Sequence, residues 1–328
     1  MKIENPHEFV FSIEERLQFL KQYGSFSMAF SSLQPHIKYF DVYDVGYISY
    51  ISFYGKIFVL SNPICDEKNI ESILGLFLEN FPRAFFVQIG KNIVDILHEK
   101  YGFFGTNCGQ ETRILLNAWN LSGRKKNVLR TAINNANLEN ISIHEENKLL
   151  EQTHSISIKW LKTRRRKAKE IRFLIRPLTM PHQKDVRYFY AYSNEQPIGF
   201  VFFDPIYSQD KILGYVPNIS RSCIQFKSGL WYVIMAFALN KFKEEGVEFV
   251  DLGIMPMDFK TEIQYFECKI TRILIEKLYQ YGSFFFNFKG LKFAKSRFQG
   301  TSSNVFYGHK NSLPIFSILI LSRFARFF

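Results

Sequence analysis

The chain has 328 residues, of which 47% are hydrophobic and 22% are charged, and its net charge is +12. This composition is typical of a globular protein with a sizeable core and excludes wholesale disorder. No run approaches the roughly 18 uninterrupted apolar residues of a membrane span, and the first residues lack a signal peptide's apolar core. We therefore expect neither a polytopic membrane protein nor a secreted one. The four cysteines form no CxxC pair, which predicts neither disulfides nor a zinc site and favours a cytoplasmic protein.

Positive charge is concentrated in two segments of the chain. Residues 121–176 contain 14 Lys/Arg against 5 Asp/Glu, and residues 286–328 contain 7 Lys/Arg and no acidic residue. The remainder of the chain carries a net charge of −4. Concentrated basic segments favour a polyanionic partner, which would be a nucleic acid, an anionic lipid or a phosphorylated ligand. The alternative interpretation is a pair of solvated, charged faces.

The N-terminal third of the sequence predicts one α+β unit. The alternating run 45–60 indicates two strands around a Tyr-Gly turn, and residues 66–81 carry apolar side chains at helical spacing. A strand at 84–90 and a short helix at 92–100 follow. The order strand–strand–helix–strand–helix ends near residue 110.

The rest of the chain predicts a second unit of the same style. Its predicted elements are, in order, a strand at 113–121, helices at 123–136 and 149–166, strands at 186–193, 198–204 and 211–218, a helix at 229–245, a strand at 247–254, a helix at 260–279 and a strand at 283–288. We therefore predict two tandem α+β lobes, at residues 1–110 and 111–310, each a mixed sheet flanked by helices. An apolar and basic tail follows at 311–328.

No strong catalytic motif is present, and the seven histidines are dispersed without ligand spacing, which predicts no metal site. The loop before the apolar helix at 229–245 contains Arg221, Lys227 and Gly229. A helix N-terminus of this kind binds an anion through backbone N–H groups and the helix dipole. In GNAT-type acetyltransferases a glycine-rich loop at this position holds the coenzyme A pyrophosphate. Only Gly229 is present here, and an ordinary capped helix is the alternative.

Two further basic clusters are candidates for phosphate contact. They are Arg124, Lys125, Lys126 and Arg130, at helical spacing after Gly123, and Arg164, Arg165 and Arg166 within the run 163–169. Cations at a helix start and like charges at i,i+4 are both unfavourable without an anion. Solvated helix ends are the alternative interpretation of both clusters.

The C-terminal tail alternates an apolar run with Arg323 and Arg326. It is too short to cross a bilayer, which needs about 20 apolar residues. One interpretation places it in a membrane interface with its arginines at the headgroups, and hence the protein on the inner membrane face. The other is a terminal strand or helix that covers the second lobe.

Several stretches resemble, in the same order, the phosphatidylglycerol lysyltransferase C-terminal domain family. The segment 56–81 looks like the family's first-lobe strand–turn–helix. The other stretches are Tyr101-Gly102-Phe103, Gly109-Gln110-Glu111, 121–134, Trp160-Leu161 before the basic run, 249–257 and 286–298. Together they cover roughly residues 45–300. No single stretch is decisive, but their collinearity is hard to explain by chance.

The resemblance implies two tandem GNAT-like lobes, as in the Fem-type peptidoglycan aminoacyltransferases. It implies transfer of an aminoacyl group from the ester on aminoacyl-tRNA to a lipid, phosphatidylglycerol-like, or a small amphiphilic acceptor. Because the ester is already activated, no metal or nucleotide cofactor is expected, and aminoacyl-tRNA is the co-substrate. The family's membrane-spanning N-terminal domain has no counterpart in this sequence, and we expect a stand-alone catalytic module.

The expected site residues follow from this chemistry, which needs oxyanion donors and a route for the acceptor's proton. We expect Arg221, Lys292, Lys295 and Arg297 around the reaction centre, where they bind phosphate or stabilise the oxyanion. Glu111 and Asp251 are candidates for holding an amine or taking a proton. The basic clusters named above, with Lys227 and Gly229, are expected to contact tRNA or lipid phosphates.

Two other functions stay open on the sequence alone. One is a coenzyme A-dependent N-acyltransferase of GNAT type that uses the loop before Gly229. The other is a non-catalytic module that binds a polyanion, for which binding would depend steeply on salt.

Overall fold

One mixed sheet of twelve strands runs through the described part of the chain. The computed structural model describes residues 10–163, 170–223, 226, 229–256, 263–273, 276, 288–311 and 313–326. Its strands are β1 (Lys38–Val42), β2 (Gly46–Phe53), β3 (Lys56–Leu60), β4 (Ile64–Cys65), β5 (Phe85–Ile89), β6 (Phe104–Leu115), β7 (Ile141–Glu146), β8 (Arg187–Ser193), β9 (Gln196–Ser208), β10 (Lys211–Ser222), β11 (Phe249–Pro256) and β12 (Thr301–His309). Its longer helices are α1 (Ile13–Tyr23), α2 (Ile70–Asn80), α3 (Lys91–Tyr101), α4 (Asn127–Leu138), α5 (Gln152–Lys162), α6 (Leu230–Glu244), α7 (Phe288–Ser296) and α8 (Ile315–Phe324).

The order of the strands is nearly symmetric about its centre. It runs β1-β2-β3-β5-β12-β6-β11-β10-β9-β8-β7, with the short β4 beside β2. The pairs β3–β5 and β10–β11 are parallel, and the described helices between them are α2 and α6. At the centre of the sheet, strands from the two halves of the chain are exchanged. β6 from the first half pairs with β11 from the second, and β12 from the second half pairs with β5 from the first. This order supports the predicted tandem lobes, although their boundary at residue 110 stays a prediction and lies within β6.

Local sequence signals explain where several elements begin and end. The Ser12 hydroxyl accepts from the Glu15 N–H at the start of α1, and the Glu15 carboxylate accepts from the Ser12 N–H at 2.7 Å, which is a capping box. Gly102 ends α3 in the left-handed conformation. Tyr54 and Gly55 both have positive φ, as a two-residue turn between β2 and β3 requires.

Helices cover both faces of the sheet. On one face, α2 and α3 cover the first strands, and α4 and α6 cover the later ones through residues such as Phe77 and Leu239. On the other face, α1 and α5 pack against β2, β8, β9 and β10 through Leu20 and Ile156. No helix in the described part of the chain is both long and apolar enough to cross a membrane.

The predicted hairpin at 45–60, the helices at 66–81, 92–100 and 229–245, and the strands around 84–90, 186–204, 211–218 and 247–254 are confirmed within a few residues. The strand predicted at 113–121 is wrong, because the strand is β6 and ends at Leu115. Polar residues in the middle of β6 hide its alternation. The helix predicted at 260–279 is wrong for residues 263–268, which are not helical, whereas residues 269–273 are helical. Of the strand predicted at 283–288, residues 283–287 lie outside the described residues and Phe288 begins a helix.

The C-terminal tail forms a helix over the first strands of the sheet. Leu321 of α8 packs with Phe58 of β3 and Phe85 of β5. The Tyr307 hydroxyl of β12 donates to Ser317 Oγ at 2.9 Å. The tail is therefore a terminal helix that packs on strands of both predicted lobes, on β3 and β5 of the first and on β12 of the second. The four cysteines are free thiols.

A buried ion pair joins the segment around residue 176 to the middle of β9. The Arg176 guanidinium donates to the Asp204 carboxylate through Nε at 2.8 Å and Nη2 at 2.6 Å, and both side chains are fully buried. Burial raises the pKa of Asp204, and the Arg176 charge opposes that effect. A pair of this kind stabilises weakly, but losing one partner leaves an uncompensated buried charge.

Replacing one partner of this pair should destabilise the protein strongly. We expect Arg176→Ala to lower the free energy of unfolding by about 3–5 kcal/mol, measured by urea denaturation. The exposed Arg83 provides a control, and Arg83→Ala should change stability by less than about 0.5 kcal/mol. The double variant Arg176→Met/Asp204→Leu should recover most of the loss. A stable Arg176→Ala variant would contradict this account.

Candidate active site

A cleft of about 680 Å³ lies over the middle of the sheet, where β5, β12, β6 and β11 are neighbours. Glu111 and Arg113 of β6 and Asp251 of β11 contribute to its lining. The rest is formed by Phe26 and Ser27, by Ser61 and Asn62, by Gln88, Gly90 and Lys91, by Leu115 and Gln264, and by residues 301–306 of β12. The cleft thus takes residues from both predicted lobes.

Strand register brings the three charged residues together. Asp251 lies opposite Arg113 and Ile254 lies opposite Glu111, with a register shift at residues 252–253 between them. Side chains alternate along a strand, so Glu111 and Arg113 share a face. Val250 and Leu252 belong to the core under α4 and α6, so Asp251 points to the opposite face.

Glu111 is held by two residues from the N-terminal part of the chain. The Ser27 hydroxyl and the Gln88 amide both donate to its Oε1, at 2.5 Å and 2.7 Å. Gln88 and Ser61 have φ of 60° and 62°, a conformation that costs free energy outside glycine and often occurs at functional sites. The Ser61 hydroxyl donates to the Gln88 carbonyl at 3.1 Å, so the two strained residues support each other beside the cleft.

Asp251 is nearly completely buried and titrates near neutrality. Its Oδ1 accepts from the Gly253 N–H at 2.9 Å, and its Oδ2 lies 3.6 Å from Arg113 Nε. Burial raises the pKa of Asp251 to about 7, and the nearby charge of Glu111 adds to that rise. The Gly253 hydrogen bond and the charges of Arg113 and Lys295 act in the other direction.

Lys295 of α7 completes the group of coupled charges. Its Nζ donates to the Ile254 carbonyl at 2.8 Å and lies 3.8 Å from the position of a Cβ on Gly253. Burial lowers the pKa of Lys295 to about 8, while the charges of Asp251 and Glu111 raise it. A carboxyl and an ammonium that both titrate near pH 7–8 can exchange protons with a substrate under physiological conditions.

Four residues predicted at the reaction centre are not among the residues that line the cleft: Lys295, which is buried near Asp251, and Arg221, Lys292 and Arg297. Arg221 of β10 is buried, and its guanidinium stacks on the Trp160 ring at 4.0 Å. Lys292 of α7 is half-buried. Arg297 stacks on the Phe293 ring at 3.9 Å, next to the end of α7. Of the six predicted catalytic residues, the structure therefore brings Glu111, Asp251 and Lys295 together.

The predicted phosphate contacts divide into exposed and internal residues. Arg124 and Lys125 are exposed in a short 3-10 turn before α4. Lys126 is buried and donates to the Asn120 carbonyl at 2.6 Å. Arg130 donates to the carbonyls of Leu121 and Gly123, so both residues brace this loop. Gly229, with φ of 86°, begins α6, whereas Arg164, Arg165, Arg166 and Lys227 lie outside the described residues.

Sequence reasoning missed Arg113, Ser27 and Gln88. Arg113 carries a usable signal, because it stands two positions after Glu111 in a strand and must share its face. Its guanidinium also stacks on the Phe249 ring at 3.8 Å. Ser27 and Gln88 lie far from Glu111 in sequence, and no local pattern predicts that they meet it.

Comparisons with known proteins agree with the geometry of the sheet. The family model "Phosphatidylglycerol lysyltransferase, C-terminal" matches residues 17–307. L-PGS from Bacillus licheniformis is 17% identical over 96% of this chain and 97% of its own, with a TM-score of 0.76. The C-terminal domain of a putative lysylphosphatidylglycerol synthetase from Agrobacterium fabrum is 16% identical over 95% and 94%, with a TM-score of 0.75. FemX is 9% identical over 95% and 99%, with a TM-score of 0.54. No curated protein matches the sequence.

Removing the Lys295 charge should raise the pKa of Asp251 further, because the ammonium favours the ionised carboxylate. We expect the variant Lys295→Met to show Asp251 titrating above its wild-type pKa of about 7. The measurement is a 13C NMR titration of the labelled aspartate carboxyl groups, in which Asp251→Asn identifies the signal. Lys310→Met, which removes an exposed ammonium elsewhere, should leave that pKa in place. An unchanged or lowered pKa in Lys295→Met would show that the two groups are not coupled.

Proposed function

The chain belongs to the phosphatidylglycerol lysyltransferase C-terminal family, and we propose that it transfers an aminoacyl group from aminoacyl-tRNA to the hydroxyl of a lipid or small amphiphilic acceptor. Family membership supports an acyltransferase. The observation that carries the finer proposal is the group of charges at the cleft: Asp251 and Glu111 line it, and the buried Lys295 is near enough to act on both electrostatically. The pKa of the Asp251 carboxyl is raised and that of the Lys295 ammonium is lowered. A phosphatidylglycerol-like lipid is the acceptor that we favour.

The reaction exchanges one ester for another. The acceptor oxygen attacks the carbonyl carbon of the aminoacyl ester, and its proton passes to the Asp251 carboxylate. The tetrahedral intermediate carries a negative oxygen, which a nearby cation stabilises. When the bond to the terminal ribose of the tRNA breaks, the ribose oxygen takes the proton back from Asp251. The protein ends the cycle in its starting protonation state.

Each member of this charged group has a role in the proposed scheme. Asp251 carries the proton, because a group with a pKa near the working pH can both accept and release it. Lys295 supplies the positive charge for the oxyanion and keeps Asp251 partly ionised. Glu111, fixed by Ser27 and Gln88, holds the ammonium group of the aminoacyl substrate. Arg113, 40% exposed beside Asp251, binds a phosphate of either substrate.

The exposed Arg124 and Lys125 support a polyanionic donor. Both precede α4 in a turn whose backbone is braced by Lys126 and Arg130. A rigid turn with free cations suits the phosphates of a tRNA. The proposal includes Arg164, Arg165 and Arg166 as further residues that contact the phosphates of the tRNA.

The direct test follows a label from tRNA into lipid. Purified protein is incubated with a mixture of radiolabelled aminoacyl-tRNAs and phosphatidylglycerol vesicles, and the organic phase is counted. We expect label from one donor species to enter the lipid. Asp251→Asn, Lys295→Met and Glu111→Gln should each lower the single-turnover rate by about 10²–10⁴-fold, because each removes a group that acts on the transition state.

The control variant Arg83→Gln, which changes an exposed residue that does not line the cleft, should transfer label at the wild-type rate. If no label leaves any tRNA, the proposed function is wrong. Tight binding of coenzyme A in that case would instead favour the N-acyltransferase function, and salt-sensitive tRNA binding without turnover would favour a binding module.

The same residues predict a bell-shaped pH profile for kcat/KM. The rate should rise with pH through about 7, as Asp251 loses its proton, and fall through about 8, as Lys295 loses its charge. Because the two groups interact, each limb of the profile reports an apparent pKa of the two groups together rather than of one residue. Lys295→Arg should keep its charge and move the alkaline limb to higher pH. Initial rates corrected for spontaneous ester hydrolysis give the profile, and a rate that is flat between pH 6 and about 9 would contradict these roles.

A further inference from the structure

The C-terminal helix α8 presents an apolar stripe to solvent. Phe316 is 79% exposed and Leu319 is 49% exposed, although Leu321 on the opposite side of the helix is buried against the sheet. Arg323 continues the stripe at helical spacing and is also exposed. Leu313, just before the helix, is 49% exposed. This part of the chain lies beyond residue 307, where the family match ends.

The tip of the β2–β3 hairpin extends this surface at the end of α8. Phe53 packs against Phe324 with ring centroids 4.9 Å apart. Tyr54, whose ring centroid lies 4.5 Å from that of Phe53, is 72% exposed. An aromatic ring with a polar hydroxyl at an exposed turn is typical of residues that lie at a membrane–water interface. We call the exposed residues Tyr54, Leu313, Phe316, Leu319, Arg323 and Arg326 the α8 surface.

The charged residues of the C-terminal segment 286–328 and of the β2–β3 hairpin are all basic. Arg172 stacks on the Phe324 ring at 4.2 Å, and Arg326 lies close enough to affect it electrostatically. None of the ion pairs among the described residues involves Arg172, Arg323 or Arg326. The sequence from 286 to the end and the hairpin 46–60 contain no Asp or Glu. A group of arginines without carboxylates is complementary to an anionic surface.

We infer that the α8 surface docks the protein on an anionic phospholipid bilayer. A helix that lies in the membrane interface buries an apolar face at the level of the headgroups and places its cations against lipid phosphates. Phe316 and Leu319 supply the apolar contact, and Arg323 and Arg326 the cationic one. The bilayer is favoured over a protein partner because the apolar and cationic residues share one short helix and its adjoining hairpin tip.

The location of α8 near the cleft explains how docking would assist transfer to a lipid, a point that rests on the proposed function. Helix α8 packs on Tyr307 of β12, two positions after Val305, which lines the cleft. Phe26 lines the cleft and also packs against the core cluster that contains Leu321. The α8 surface and the cleft are therefore joined through adjacent residues. Docking would bring the cleft close to lipid headgroups and raise the local concentration of a lipid acceptor.

Vesicle binding tests the inference without any turnover. The full chain is floated with vesicles of phosphatidylglycerol mixed with phosphatidylcholine, and with vesicles of phosphatidylcholine alone. We expect binding to the anionic vesicles only. The double variant Phe316→Gln/Leu319→Gln should bind about thirtyfold more weakly, and Arg323→Gln/Arg326→Gln should show a similar loss that high salt reproduces in the wild type.

The matched control is Leu138→Gln. Leu138 is 81% exposed at the end of α4, on the other face of the sheet, and its replacement should leave binding unchanged. Circular dichroism establishes that every variant is folded. Equal binding of the α8 variants and the wild type would overturn the inference, as would wild-type binding to phosphatidylcholine alone. A dimer in sedimentation velocity that Phe316→Gln/Leu319→Gln dissolves would also overturn it, because the stripe would then bind a second copy.

A soluble acceptor separates this inference from the proposed function. With short-chain phosphatidylglycerol below its micelle concentration, the α8 variants should transfer label at the wild-type rate, whereas with vesicles they should be slow. If no acceptor is ever labelled but vesicle binding depends on α8, the docking surface stands and the proposed function falls. If transfer occurs and vesicle binding ignores α8, the function stands and the docking surface falls.

Discussion

The exchange of strands at the centre of the sheet is the constraint on which the candidate site depends. Because β6, the strand that contains the predicted lobe boundary, pairs with β11, Glu111 and Arg113 lie beside Asp251. Because β12 lies between β5 and β6, Gln88 can reach Glu111 across it. The site is therefore a product of the whole fold rather than of either half.

Placing charges at the middle of a sheet is unfavourable unless each is compensated. The surroundings compensate these charges only in part. Asp251 has one backbone hydrogen bond and two cations nearby, yet its pKa remains raised. Lys295 has one carbonyl and two carboxylates nearby, yet its pKa remains lowered. Each group is thus close to giving up its charge, which is the property that proton transfer requires. The left-handed conformations of Ser61 and Gln88 add a second local cost beside the same cleft.

The sequence predicts most of the regular elements because their patterns are strong. The apolar period of 66–81 and the alternation of 45–60 correspond to α2 and to β2 and β3. The prediction fails where polar residues interrupt the pattern. They interrupt β6, whose strand was predicted too late, at 113–121, and β12 begins with four polar residues, Thr301–Asn304, and was not predicted. Glu111, Asp251 and Lys295 were identified as candidate site residues from the chemistry of their side chains and from a family resemblance. Their support by Ser27 and Gln88 depends on contacts across the chain that no local pattern encodes.

The basic residues behind the net charge of the chain have different structural roles. Lys126 and Arg130 are directed to backbone carbonyls and brace a loop, and Lys295 is buried beside two carboxylates. In the part of the chain that the structure describes, exposed cations such as Arg124 and Arg323 can meet a large anion. These two belong to elements on opposite faces of the sheet, since α4 packs in one core and α8 in another. Among the described residues, the exposed cations beside α4 and on α8 therefore lie on two separate surfaces, which is the arrangement that the proposed contacts with tRNA and with a bilayer would need.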